Sequence, residues 1–147
     1  MERILDWNKY LDTAAKMVSE GIVMLKNENN ALPLDADKEV AVFGRIQFHY
    51  YKSGTGSGGM VNVTKVVNIL DGLIDNGIKV NEKLLDTYRK WDKENPFDLG
   101  EGWGGEPWSQ KEMPLDEGLV KETAKSCETA IVIIGRTAGE EQDNSCL

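Results

Sequence analysis

Two stretches of this 147-residue chain hold residue types that could do chemistry. The first is Gly139-Glu140-Glu141-Gln142-Asp143, close to the last residue. A carboxyl group in a cleft serves as a general acid or base when its surroundings bring its pKa toward neutrality. Burial or a second carboxylate does this by disfavouring the charged form, so a raised pKa is the expectation for such a group. A bare acidic cluster is usually a solvated turn. This one follows Ala130 to Ile134, the longest purely apolar run in the chain. Such a short, β-branched run predicts a strand buried on both faces. Carboxylates just beyond the carboxyl end of a parallel strand lie where open α/β sheets bind ligands. Glu140 is therefore the candidate catalytic acid.

The second stretch is Gly54-Thr55-Gly56-Ser57-Gly58-Gly59. Glycines let a backbone approach a ligand closely. A phosphate cradle is one reading, but the dinucleotide fingerprint opens directly between strand and helix. Here Gly54 comes ten residues after the expected strand end at Gly44, and no Gly-Lys-Ser or Gly-Lys-Thr closes the loop. The other readings are a surface loop, or a loop that lines a site with backbone amides and Ser57. A third stretch, Asn95 to Pro114, is rich in glycine, proline and tryptophan. A loop of that length is usually functional or disordered, and Trp103 and Trp108 argue against disorder. These tryptophans could stack on sugar faces, although packing of the loop onto its own domain is the commoner use. His49 lies among Phe48, Tyr50 and Tyr51 and reads as a packed loop residue.

These stretches need a scaffold. Trp7, Leu11, Ala14, Val18, Ile22 and Leu25 recur at helical spacing and predict an amphipathic helix that ends at Asn27 to Asn30. Glu39 to Gly44, apolar at consecutive positions, predicts a central parallel strand. Val66 to Ile74 predicts a second helix, with Thr64 as N-cap and Gly77 as stop. Gly77 to Asn81 reads as a short strand, Leu84, Tyr88 and Trp91 as a third helix, and Leu115 to Ser126 as a fourth. The alternation predicts an α/β fold with a mostly parallel three-stranded sheet flanked by helices. Three strands are few for such a sheet, so the expectation is a single truncated domain over residues 1–147. An unpaired strand edge would then favour dimers.

Composition narrows the function. The chain is 40% hydrophobic and 29% charged, with a formal net charge of -8. That balance disfavours nucleic acid, which needs a basic face. No stretch has the length of a membrane span, and the first residues lack a secretory signal. Cys127 and Cys146 have no metal-ligand spacing and read as free thiols of a reducing, cytoplasmic compartment.

Three segments together resemble family 3 glycoside hydrolases, the β-glucosidases and their relatives. They are Gly21 to Leu34 (GIVMLKNENNALPL), Tyr50 to Gly59 (YYKSGTGSGG) and Ile134 to Asn144 (IGRTAGEEQDN). The first is similar to the entry into that family's α/β-sandwich domain, a flavodoxin-like fold. The second is similar to its glycine-serine loop, and the third to the strand and loop bearing its acid/base glutamate. The resemblance implies retaining hydrolysis of a terminal β-linked sugar, without metal or cofactor. Glu140 would be the acid/base, preferred over Glu141 because it follows Gly139 directly. Ser57 would reach the sugar, with Gly56 and Gly58 shaping the loop. The nucleophile would be an aspartate on a (β/α)8 barrel that this chain does not contain. The order of domains resembles the reversed type, with the sandwich before the barrel. The reading from another class is a non-catalytic flavodoxin-like module that binds a nucleotide or flavin through Gly54 to Gly59.

Overall fold

The computed structural model describes residues 5–52 and 54–140. The chain divides into two compact units, Met1–Leu34 and Asp35–Leu147. The first consists of helix α1, Trp7–Gly21, and the segment after it. Asp6 caps α1 by accepting a hydrogen bond from the Lys9 amide at 3.1 Å. The helix stops at Gly21, and Ile22 is already extended. The apolar spacing ran on to Leu25, but glycine's low helix propensity ends the helix first. Trp7, Leu11 and Val18 lie exposed on α1.

The second unit is built on a parallel three-stranded sheet in the order β2-β1-β3. Strand β1 is Glu39–Phe43, β2 is Lys79–Val80 and β3 is Thr129–Val132. Val40 sits opposite both Val80 and Thr129, and the register runs on to Phe43 opposite Val132. Helices α2 (Ile69–Asp75), α3 (Glu82–Glu94) and α4 (Glu117–Ser126) supply the connections. An α/β fold with a parallel sheet is what the alternation of elements predicted.

Three expectations are corrected. The strand buried on both faces is β1, not the apolar run at Ala130 to Ile134. Val40, Ala41, Val42 and Phe43 are all buried, whereas Val132 is 68% exposed and Ile134 82%. The reason is position: β1 has a strand on each side, and β3 is an edge strand of the described sheet. The second helix starts at Ile69, and its cap is Asn68 rather than Thr64. The Asn68 side chain accepts from the Asp71 amide at 2.7 Å, leaving Val66 and Val67 outside the helix and exposed. Leu115 likewise precedes α4, whose cap is Asp116.

Alternate residues of β1 face opposite sides of the sheet. Ala41 and Phe43 join Leu84 and Tyr88 of α3, Met113 and Cys127 in one core cluster, against which Trp91 and Leu119 pack. Burying Leu84 and Leu85 contributes about 1.5–3 kcal/mol each. Cys127 is a free, buried thiol; Cys146 lies outside the described residues. The core also holds the exit from β1. Tyr88 Oη accepts from the Gly44 amide at 2.9 Å. Gly44 has φ +105°, and a Cβ there would lie 2.2 Å from the Ile133 carbonyl oxygen. Only glycine fits this turn. No helix among the described residues is long and apolar enough to cross a membrane.

Candidate active site

Past Val132 the chain leaves the sheet and runs alongside the glycine loop. The Thr55 amide donates to the Ala138 carbonyl at 3.1 Å, and Thr55 and Gly139 form a parallel bridge. Two glycines make this approach possible. A Cβ at Gly54 would lie 2.3 Å from the Ala138 carbonyl oxygen, and one at Gly139 would lie 2.3 Å from that of Thr55. Each backbone thus fills the space that a side chain on the other would need. Overpacking of this kind typically costs about 1–3 kcal/mol. Gly139→Ala is therefore expected to separate the two segments and lower the denaturation midpoint of the chain. Unchanged thermal melting and an unchanged structure at this crossing would refute the interlock.

The crossing brings Glu140 to Ser57. The Ser57 amide donates to Glu140 Oε2 at 3.1 Å, and its hydroxyl donates to Oε1 at 2.8 Å. Both residues are exposed, and Gly56 beneath them is buried. Gly56 has φ +78°, and a Cβ there would come within 2.8 Å of Glu140 Oε2. Gly58, one residue beyond Ser57, touches nothing that would exclude a Cβ. The structure thus brings Glu140, Ser57 and Gly56 together and leaves Gly58 open to solvent. Glu141, Gln142 and Asp143 lie outside the described residues.

The electrostatics differ from the sequence-based expectation of a raised carboxyl pKa. The Ser57 amide, and after it the Ser57 hydroxyl, hold the Glu140 carboxyl below its ordinary value, against a smaller opposing effect of desolvation. Donors aimed at a carboxylate favour its charged form. No second carboxylate raises it among the described residues. The loop amide that a phosphate cradle would use at Ser57 is already engaged by this carboxylate.

The aromatic stretch packs beside the site. Gln110 closes it, accepting from the Asp98 amide at 2.9 Å and donating to the Asp98 carbonyl at 2.8 Å. The Trp108 ring lies under the Arg136 guanidinium at 4.7 Å, and the Trp108 carbonyl accepts from the Thr137 amide at 2.9 Å. A Cβ at Gly104 would be 3.9 Å from Gly56 Cα, so this loop reaches the glycine loop. Trp103, next to Gly104, is 56% exposed.

Arg45 anchors the other end of the stretch, and sequence reasoning missed it. It is 1% exposed. Its Nη2 donates to Asp92 Oδ1 and to the Asn95 carbonyl, both at 2.7 Å, and its Nη1 donates to the Lys111 carbonyl at 3.1 Å. Its guanidinium also stacks 5.0 Å from the Trp91 ring centre and 5.5 Å from that of Phe97. The Arg45 amide is bound by both oxygens of Glu112. His49 completes the group, with Nε2 2.7 Å from Asp92 Oδ2 and its ring 4.8 Å from Phe97.

An open groove of about 880 Å³ lies elsewhere, between Phe43, Tyr88, Met113 and the outer residues Val132 to Arg136. It is mostly apolar sheet surface along β3, and neither Glu140 nor Ser57 lines it.

A parallel α/β domain with a carboxylate and a glycine-serine loop meeting beyond its strand ends defines the class. Residues 22–147 match the glycosyl hydrolase family 3 C-terminal domain. The chain belongs to glycosyl hydrolase family 3. It is 64% identical to a β-glucosidase of Ruminococcus albus over 142 residues, which are 97% of this chain and 15% of that protein. It is 33% identical to β-glucosidase A of Butyrivibrio fibrisolvens, over 97% of this chain and 17% of that protein. A β-glucosidase structure from Paenibacillus barengoltzii superposes with a TM-score of 0.87 at 53% identity, covering 97% of this chain and 15% of that one. β-Glucosidase 3B from Thermotoga neapolitana, in complex with glucose, gives 0.80 at 29% identity, covering 95% and 19%. The chain thus spans less than a fifth of the length of each of these relatives.

Proposed function

We propose that this chain is the acid/base-bearing part of a retaining β-glucosidase whose nucleophile, an aspartate, is carried by a (β/α)8 domain. The observation that carries the reading is the meeting of Glu140 and Ser57 beyond the carboxyl ends of β1 and β3. The β-glucosidase names of the relatives at 64% and 33% identity support the reaction class. The substrate is a β-glucoside or an oligosaccharide with a terminal β-linked sugar. The free, buried Cys127 supports a cytoplasmic site of action.

A retaining mechanism needs two carboxyls about 5–5.5 Å apart. In the first step the aspartate attacks the anomeric carbon while Glu140, protonated, gives its proton to the leaving oxygen. The glycosidic bond breaks, and a glycosyl ester forms. In the second step Glu140, now a carboxylate, takes a proton from water as that water attacks the anomeric carbon and releases the aspartate. The ionised form held by Ser57 is the one this second step starts from. Protonation for the first step is favoured when the charge of the nucleophile arrives alongside, since like charges raise one another's pKa.

Retention means that the full-length enzyme releases the β-anomer first, and proton NMR of the earliest product distinguishes it from the α-anomer. First release of the α-anomer would exclude the double displacement. The 147-residue chain alone, holding one of the two carboxyls, is expected to leave an aryl β-glucoside intact; measurable turnover by it would place the nucleophile within this sequence.

A further inference from the structure

Ser57 spends both of its polar donors on one side chain. Its amide takes Glu140 Oε2 and its hydroxyl takes Oε1, so the plane of the carboxylate is fixed as well as its position. Both bonds favour the ionised form, because a protonated carboxyl has one acceptor site fewer. A Cβ at Gly56 would come within 2.8 Å of the same carboxylate, so only glycine leaves it this room. Of the charged neighbours, Lys52 and Arg136 are engaged elsewhere, and Glu106 keeps a buried oxygen without a hydrogen-bond partner among the described residues. Lys52 Nζ donates to the Val61 carbonyl, the Arg136 guanidinium lies over Trp108, and the Glu106 carboxylate sits beside Gly59. None of them contributes to the depressed Glu140 pKa, which Ser57 alone accounts for.

We propose that Ser57 is a positioning residue for Glu140, fixing both the place and the plane of its carboxyl group through two hydrogen bonds. The inference rests on the reading of Glu140 as acid/base and adds to it. The carboxylate state is the base of the second step, and the first step requires the proton back. Ser57 therefore determines the pH above which the enzyme lacks its proton donor. The direction follows from the contacts. Removing the hydroxyl takes away one of two donors to the charged form, which raises the pH at which Glu140 loses its proton.

The test is the pH profile of kcat/KM for an alkyl β-glucoside, whose poor leaving group needs proton donation. That profile reports the free enzyme. In the full-length enzyme, Ser57→Ala is expected to move the alkaline limb to higher pH, while Ser57→Thr, which keeps the hydroxyl, leaves the limb in place. Thermal melting of each variant shows that it is folded. An alkaline limb unmoved in Ser57→Ala, with activity lowered evenly at every pH, would reduce Ser57 to a loop or sugar contact and overturn the inference. A limb displaced equally in Ser57→Thr would overturn it too. Glu140→Ala separates the two levels: if the alkaline limb persists without Glu140, the acid/base reading itself fails.

Discussion

Glu140→Ala in the full-length enzyme is expected to slow hydrolysis of poor-leaving-group β-glucosides by about 10²- to 10⁴-fold, the usual worth of a general acid. The loss depends on the leaving group. An alkoxide leaves badly without a proton, so alkyl glucosides suffer the full effect. A dinitrophenolate leaves unaided, so attack by the nucleophile continues with such a substrate. Its second step then lacks a base, glycosyl-enzyme accumulates, and kcat falls together with KM. A small anionic nucleophile such as azide needs no base. It is expected to restore turnover of the activated substrate and to give the β-glucosyl azide as product. The position of Glu140, facing Ser57 across the Thr55–Gly139 bridge, is the reason for choosing it over its neighbour. Equal loss for every leaving group, or a larger loss from Glu141→Ala, would move the role away from Glu140.

The second large effect concerns stability. Arg45→Met removes the cation at the centre of the second unit. Asp92, only 18% exposed, keeps the His49 contact but loses its arginine. The Asn95 and Lys111 carbonyls lose their donors at the same time. Breaking a buried pair on one side typically costs about 3–5 kcal/mol, because the remaining charge stays buried. The variant is expected to show a much lower urea midpoint. Arg45→Lys retains the charge but not the planar fork that spans three acceptors, so it recovers only part of the loss. An unfolding free energy within about 0.5 kcal/mol of the wild type, the range of a neutral surface change, would show that the network contributes nothing. Because Arg45 also anchors Asn95 and Lys111, the aromatic stretch loosens in the same variant. Quenching of tryptophan fluorescence reads that loosening separately.

The sequence made some of this legible and not the rest, for identifiable reasons. Apolar periodicity and chain alternation were enough for the class of fold, because a parallel sheet needs helical crossovers and these leave a pattern. They misjudged the burial of the last strand. Ala130 to Ile134 is the more apolar run, but burial depends on neighbours, and β1 has two of them. Local capping was misread at Thr64, since Asn68, four residues on, makes the actual cap. At the site, residue types and family resemblance picked out Glu140 and Ser57. Their direct bond, across 83 residues of sequence, was not legible, nor was the crossing of Gly54 with Gly139 that creates it. Arg45 was invisible for the same reason. Its partners lie 47 to 67 residues away, and nothing in the local sequence sets it apart from a solvated arginine.

Glu140 follows β3, the edge strand of the described sheet, and Ser57 sits in the loop that follows the central strand, β1. Outer strands exchange their amide hydrogens through small local openings, and inner strands through openings close to complete unfolding. Fraying along β3 would therefore pull on the Thr55–Gly139 bridge, and through it on the contact between Glu140 and Ser57. A neighbour that covers β3 would hold that contact in place as well.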